Sequence, residues 1–187
     1  AGIRIIYTPL NGTGNRFVRD VLAESGFSDV IAVPDQELPD ENFTTCKSPN
    51  PEKLSAFNEA FRVLDRKKGD IIIATDPDAD RVGAALIHNG TKIALTGNQI
   101  AVLMLDFLCE MKEHGKNAVI YRSVVSTPMA DIIAAKHGIG VKTTLTGFKY
   151  IGEAISKTIR KGAADDYFFG FEESNGFLIS PFIRDKD

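Results

Sequence analysis

Short apolar runs alternate along this chain with longer stretches in which apolar residues recur every three or four positions. The runs are rich in β-branched residues and predict strands, whereas the periodic stretches predict helices with one apolar face. Strands are predicted at 3–7, 30–33, 71–74, 82–87, 92–95, 118–121, 141–143, 167–171 and 177–180. Helices are predicted at 16–25, from 51 onward, and at 99–113, 129–137 and 151–160. This alternation is typical of α/β proteins.

The start of the second helix has its own signals. Asn50 is placed as the N-cap, Pro51 at the first helical position and Glu52 near the positive end of the helix dipole. Leu54, Phe57, Phe61 and Leu64 then follow at three- and four-residue steps. The pattern predicts a helix from Pro51 whose apolar stripe faces a sheet.

The two halves of the chain have a similar order of elements, which predicts two related domains joined near Gly97. The run at 71–74 reads as a strand buried on both faces, at the centre of its sheet. Asn89-Gly90 is the pair favoured in a type I′ hairpin turn, so the strands on either side of it are antiparallel. We therefore expect two tandem three-layer α/β domains, 1–97 and 98–187, with mixed sheets covered by helices.

Composition narrows the choice of function. The net charge of the 187 residues is −3 and no basic run is present, which argues against a nucleic-acid partner. No apolar stretch approaches the roughly 20 residues that cross a bilayer, and we recognise no signal peptide, so no membrane association is expected. Cys46 and Cys109 lie far apart without metal-ligand spacing. Reduced thiols and a cytoplasmic location are the expectation.

The strongest chemical signal is the segment at 75–81, which follows the predicted central strand. Asp76, Asp78 and Asp80 alternate in it and Arg81 comes directly after them. In open α/β sheets this edge is where ligands bind. Three carboxylates this close repel one another unless a cation neutralises them, and oxygen-only ligands suit hard ions such as Mg²⁺ or Ca²⁺. The segment therefore predicts a divalent metal site.

These aspartates have other interpretations. An acidic turn in solvent is common, because Asp is a favoured turn residue. An EF-hand loop from Asp76 would need Gly and Glu where the chain has Arg81 and Ile87. A haloacid-dehalogenase-type phosphatase would use Asp76 as the nucleophile, although Asp80 stands where that family has Thr or Val. A non-catalytic module that binds cations or sugars is a further alternative.

Three other loops could contact a ligand. The loop at 11–14 could present backbone N–H groups to an anion at a helix N-terminus, or be only a turn. The segment at 146–149 lies between a strand and a helix, where it could face a cleft or serve as an N-cap with a hydrophobic staple. Glu172 and Ser174, between two apolar strands, suit hydrogen bonds to vicinal sugar hydroxyls, or form only a hairpin turn.

Taken together, these loops resemble the α-D-phosphohexomutases, the phosphoglucomutase/phosphomannomutase family. The resemblance covers essentially the whole chain and rests on several loops that occur in the family order. They are TPLNGTGN (8–15), SPNPE (48–52), ATDPDADRVG (74–83), LTGNQI (95–100), TLTGFKYIGE (144–153), FGFEESNG (169–176) and IRDKD (183–187). Members of this family have four domains, and the chain resembles the second and most of the third.

The resemblance implies a role for each matching residue. Asp76, Asp78 and Asp80 match the aspartates that hold Mg²⁺, and Arg81 matches an arginine beside the transferring phosphoryl group. The positions expected to bind the substrate are Thr146, Gly147, Lys149, Glu172 and Ser174 for the sugar and Lys186 for its phosphate.

The resemblance also implies an activity. The intact protein is expected to be an isomerase that interconverts hexose 1-phosphate and hexose 6-phosphate through a phosphoserine enzyme and a bisphosphate intermediate. Neither the phosphoserine segment of the first domain nor the phosphate loop of the fourth is found in this chain. Those two domains of the same polypeptide and a phosphosugar are the expected partners, and the chain alone is expected to be inactive.

Overall fold

The computed structural model describes residues 2–186, which divide into two compact units. The first unit ends at Leu95 and the second begins at Thr96. Ala1 and Asp187 lie outside the described residues. They are the outer limits of the two predicted domains, and Asp187 is also the last residue of the motif at 183–187. Within the described part of the chain, the helices are all too short or too polar to cross a membrane.

The first unit is built around a five-stranded mixed sheet. The strands lie in the order β2-β1-β3-β4-β5, with β1, β2 and β3 parallel and β4 and β5 antiparallel to their neighbours. Its strands and α-helices are β1 (Ile5–Thr8), α1 (Asn15–Glu24), β2 (Val30–Ala32), α2 (Asn58–Lys67), β3 (Ile71–Thr75), β4 (Val82–His88) and β5 (Thr91–Ala94). Two short 3₁₀ helices lie at Pro34–Gln36 and Leu54–Phe57.

The core of the first unit forms where α2 packs on the sheet. Phe61 and Leu64 of α2 are buried in one cluster with Ile72 of β3, and Phe57 joins it from the preceding 3₁₀ helix. The rings of Phe57 and Phe61 meet with centroids 6.3 Å apart. Burial of side chains this large makes the hydrophobic effect the main stabilising contribution here.

The predicted start of the second helix is wrong. The helix begins at Asn58 rather than Pro51, and Leu54 is exposed instead of facing the sheet. The Asn50 side chain accepts a hydrogen bond from the Glu52 N–H at 2.9 Å, which closes a tight turn. Because Asn side chains can bond the backbone two residues on, they compete with helix formation.

The hairpin between β4 and β5 turns as predicted. Asn89 has φ = 48° and Gly90 has φ = 77°, and a type I′ turn requires positive φ at both central residues. This hairpin makes the sheet mixed.

The second unit has a four-stranded sheet in the order β7-β6-β8-β9. Strands β6, β7 and β8 are parallel, and β9 runs antiparallel to β8. Its elements are α3 (Gly97–Met111), β6 (Val119–Ser123), α4 (Met129–Lys136), β7 (Gly140–Thr144), α5 (Phe148–Arg160), a 3₁₀ helix at Ala164–Asp166, β8 (Tyr167–Glu172) and β9 (Gly176–Leu178). Helix α3 starts with a capping box between Thr96 and Gln99.

Helices cover both faces of this second sheet. On one face, α3 and α4 pack over a cluster that includes Phe169 and Phe171 of β8, whose rings stack with centroids 5.6 Å apart. On the other face, Ile151 and Ile155 of α5 are buried with Tyr167. All six residues of β8 are buried, as expected for a strand between two layers of helices. The predicted fold class, mixed α/β sheets covered by helices, is confirmed.

Candidate functional site

The three predicted aspartates converge at the carboxyl end of β3. Asp76, Asp78 and Asp80 each offer one carboxylate oxygen, and these oxygens lie within 4.8 Å of one another. Asp76 is buried, Asp80 is half-buried and Asp78 is exposed. A set of oxygen ligands that is open to solvent on one side could hold a hard divalent cation with water or substrate in its remaining positions.

The backbone of the loop keeps the carboxylates on one side. Ala79 has φ = 61°, a left-handed conformation that reverses the chain between Asp78 and Asp80. Its N–H donates to the Asp76 carbonyl at 3.0 Å, and the Arg81 N–H donates to Asp76 Oδ1 at 3.0 Å. These bonds make the loop a closed turn whose side chains are oriented before any ligand binds.

The glycine loop at 11–14 braces this turn. The Thr13 N–H donates to the Pro77 carbonyl at 2.8 Å, and the Gly12 N–H donates to the Pro9 carbonyl at 2.8 Å. A Cβ at Gly12 would overlap the Pro77 backbone. Since both N–H groups bond to carbonyl oxygens, we interpret the loop as a support for the aspartates rather than as an anion site.

Gly12→Ala should therefore displace the aspartate loop. The added methyl group meets backbone atoms of Pro77, which cannot rotate away, so we expect a loss of about 1–3 kcal/mol in the free energy of unfolding. Gly2→Ala is the matched control, because a Cβ at Gly2 meets nothing within 4 Å. Urea unfolding of both variants measures the difference. Equal stabilities would mean that the glycine loop does not brace the turn.

Like charges and burial shape the electrostatics of the site. The pKa of Asp76 is raised to about 7, mainly by burial and also by the nearby carboxylates of Asp80 and Asp78, while the hydrogen bond from the Arg81 N–H opposes the rise. The Arg81 Nε lies 3.4 Å from Asp76 Oδ2 and 3.5 Å from Asp80 Oδ1. One guanidinium balances only one of the three carboxylates, so the site favours a further cation.

Glu52 contacts the site, although its local sequence pattern predicts only a place near the start of a helix. Its Oε1 lies 3.6 Å from Nη1 of Arg81, whereas Asp76 and Asp80 contact the Nε of the same guanidinium. The preceding Pro51 packs on β4, where a Cβ at Gly83 would lie 2.6 Å from the Pro51 Cβ. The motif at 48–52 is part of the family resemblance and could have pointed to Glu52, but its local pattern predicts the start of a helix.

In the second unit, the structure brings Glu172 and Gly147 together. Glu172 ends β8 and is 4% exposed. Its Oε1 accepts a hydrogen bond from the Gly147 N–H at 2.6 Å. This bond ties the loop before α5 to the turn between β8 and β9.

The other predicted sugar ligands lie along these same segments, and Lys186, the predicted phosphate ligand, comes close to Gly176 at the start of β9. Ser174 is half-buried in the β8–β9 turn, and Lys186 Cδ lies 2.8 Å from the place that a Cβ on Gly176 would take. Thr146 and Lys149 flank Gly147 and are exposed, with Lys149 Nζ 5.1 Å from the Tyr150 ring centroid. The roles of these four side chains in binding a substrate remain predictions.

Comparison with known proteins matches this chain to one family. The family model described as phosphoglucomutase/phosphomannomutase, alpha/beta/alpha domain II, matches residues 1–89, and that of domain III matches residues 96–187. A phosphoglucomutase of Staphylococcus epidermidis is 36% identical over 186 residues, and one of Staphylococcus aureus is 35% identical over 189. Both alignments cover 99% of this chain but only 34% and 33% of those proteins, so the chain spans about a third of their length.

The solved structures agree. A structure described as a putative phosphomannomutase from Thermus thermophilus superposes with a TM-score of 0.76 at 27% identity, over 100% of this chain and 39% of that one. The dehalogenase-type phosphatase interpretation receives no support from these matches. With family models of two adjacent domains covering nearly all of its residues, the chain belongs to the phosphoglucomutase/phosphomannomutase family.

Proposed function

We propose that this chain is the metal-binding and sugar-recognition part of a mutase that interconverts hexose 1-phosphate and hexose 6-phosphate. In this proposal residues 1–97 supply the metal site and residues 98–187 the sugar site. The observation that carries it is the convergence of three aspartate oxygens within 4.8 Å beside Arg81. The remaining domains of the longer polypeptide would supply the phosphoserine and part of the phosphate site.

The donor set fits Mg²⁺. Asp76, Asp78 and Asp80 provide one oxygen each, which leaves positions for water and phosphoryl oxygens, and Mg²⁺ commonly retains such positions in proteins. A bound Mg²⁺ would supply positive charge against the phosphoryl oxygens during transfer. Arg81, held between Glu52 and the aspartates, would offer its guanidinium to the same oxygens.

The residues of the second unit would orient the sugar. Glu172 Oε1 already bonds to the Gly147 N–H, so its other oxygen is the one that we assign to a sugar hydroxyl. Ser174 would contribute a second hydrogen bond, with Thr146 and Lys149 lining the adjacent loop and Lys186 placed for the phosphate. Such contacts accelerate transfer by positioning the reacting oxygen rather than by new chemistry.

The experiment that tests this proposal uses the full-length enzyme that contains the chain. It should convert glucose 1-phosphate or mannose 1-phosphate to the 6-phosphate, and mass spectrometry should find a phosphorylated serine outside residues 1–187. Ribose 1-phosphate tests whether pentoses are accepted. An absence of mutase activity towards all three substrates would reject the proposal in favour of a non-catalytic module that binds cations or sugars.

Metal binding should depend on pH in a defined direction. The pKa of Asp76 is about 7 when the chain is folded without a cation, against an ordinary value of 3.8. Protonated Asp76 therefore contributes stability that is fully present below pH 3.8 and is lost as pH rises through about 7. Because Mg²⁺ binds the ionised carboxylate, its apparent affinity should fall about tenfold per pH unit below this pKa.

Thermal unfolding with and without Mg²⁺ measures this dependence. The Mg²⁺-induced rise in Tm should be clearly larger at about pH 8 than at about pH 6. Asp76→Asn, which cannot ionise, is the control and should show weaker binding that no longer changes with pH. A Tm shift of equal size at both pH values in the unsubstituted chain would contradict the proposed role of Asp76.

A further inference from the structure

The turn between β8 and β9 is anchored by a second glutamate, for which the sequence offers no local signal. Glu173 follows Glu172, yet its carboxylate bonds to a different part of the second unit. We infer that Glu173 is a positioning residue, which holds Glu172 and Ser174 in the orientation needed to bind the sugar. The inference rests on the proposed function and adds a residue to its sugar site.

Two buried hydroxyls hold the Glu173 carboxylate. Ser123 Oγ donates to Glu173 Oε2 at 2.8 Å, and Ser126 Oγ lies 3.2 Å from the same oxygen. The two hydroxyls are 2.7 Å apart, and the residues that carry them are 0% and 3% exposed. Hydrogen bonds from neutral donors to a carboxylate are among the stronger ones in proteins, so Glu173 is held at a defined point at the end of β6.

The backbone of the two serines is itself held in place by a buried arginine. Arg122 Nη1 donates to the carbonyl oxygens of Ser123 and Ser126 at 3.1 and 3.3 Å. Its Nε and Nη2 donate to the two oxygens of Asp131, both at 2.7 Å. This fork fixes the loop after β6 and leaves little freedom for the serines, because a partly satisfied buried network would be costly.

The same turn is held on two further sides. The Glu172 Oε1 accepts a hydrogen bond from the Gly147 N–H at 2.6 Å. At the start of α3, a Cβ on Gly97 would overlap the Glu173 carbonyl oxygen, so the helix and the turn are in close contact. Adjacent glutamates thus bond to different loops, and loss of the Glu173 bonds would remove one of the anchors that fix the orientation of the turn. Because Glu172 and Ser174 are the residues on either side of Glu173, a shift of the turn there displaces both of them.

Kinetics of the full-length enzyme tests this role. Glu172 and Ser174 are proposed to bind the sugar throughout the reaction, so Glu173→Ala should raise KM for hexose phosphate by about tenfold and change kcat by less than about threefold. Glu173→Gln keeps an acceptor oxygen for the serines, so its KM should stay within about threefold of the unsubstituted enzyme. Glu113→Ala, at an exposed position of the same unit, is the control and should leave both constants unchanged.

Other kinetic results would overturn the inference. A purely structural role predicts a lower kcat through loss of folded enzyme with KM unchanged. An unchanged KM in Glu173→Ala, or a KM in Glu173→Gln as high as that of the alanine variant, would likewise reject it.

Amide hydrogen exchange in the 187-residue chain separates this inference from the proposed function. Glu173→Ala should speed exchange of the Gly147 N–H, which reports the Glu172 bond, by about tenfold or more, and Glu173→Gln should not. Exchange that is unchanged in Glu173→Ala would show that Glu173 does not position Glu172. If the unsubstituted full-length enzyme lacks mutase activity but exchange responds as expected, the proposed function fails while the anchoring by Glu173 stands.

Discussion

If the proposed function is correct, Asp78→Ala should lower the kcat/KM of the full-length enzyme by about a thousandfold or more, because a metal site can supply several kcal/mol of transition-state stabilisation. Asp78 is exposed and lies outside the core clusters, so its removal should change the free energy of unfolding of this chain by less than about 0.5 kcal/mol. Loss of one of three neighbouring negative charges relieves repulsion, which further protects the fold.

The measurement is a coupled assay with glucose 1-phosphate at saturating Mg²⁺, with urea unfolding of the 187-residue chain alongside it. Asp65→Ala is the matched control, since Asp65 is an exposed aspartate of the same unit that lies on α2. It should leave activity and stability near those of the unsubstituted protein. Near-normal turnover of Asp78→Ala would reject the metal site.

Phe169→Ala should have the largest effect on stability, about 3–5 kcal/mol, as is typical when a buried aromatic side chain is truncated in a core. Phe169 is 0% exposed, stacks on Phe171 and lies in the cluster beneath α3 and α4. A domain is stable by only about 5–15 kcal/mol, so this loss would unfold a substantial share of the second unit at moderate temperature.

Phe182→Ala provides a control with the same change of side chain. Phe182 is 89% exposed, so its truncation should cost less than about 0.5 kcal/mol. Denaturant unfolding followed by circular dichroism compares the two variants. A loss below about 1 kcal/mol for Phe169→Ala would show that β8 does not lie in the core of its unit.

Local patterns were enough to predict most of the fold. Strand β3, the β4–β5 hairpin and the helices that follow β1, β6 and β7 all depend on signals within a few residues of one another. The aspartate cluster was predictable for the same reason, because Asp76, Asp78 and Asp80 lie within five positions and follow an apolar strand. A single turn after β3 is enough to bring the three carboxylates together.

Contacts between distant segments were not predictable in this way. The bonds from Ser123 and Ser126 to Glu173 join residues about fifty positions apart, and the brace between Gly12 and Pro77 spans more than sixty. Nothing in the sequence around Ser123, Ser126 or Gly12 indicates a partner so far along the chain. The false helix start at Pro51 has the same cause, because the packing of that segment on β4 depends on Gly83.

The order of strands in the two sheets is the same around their third strands. In each unit the third strand lies between the first and the fourth, and the fourth runs antiparallel to it. The aspartate loop joins β3 to β4 and the Glu172 turn joins β8 to β9, so the two loops occupy the same place in a shared topology. Duplication of one ancestral unit would produce this correspondence, and the cation and sugar roles proposed for the two loops would then have arisen at one equivalent position.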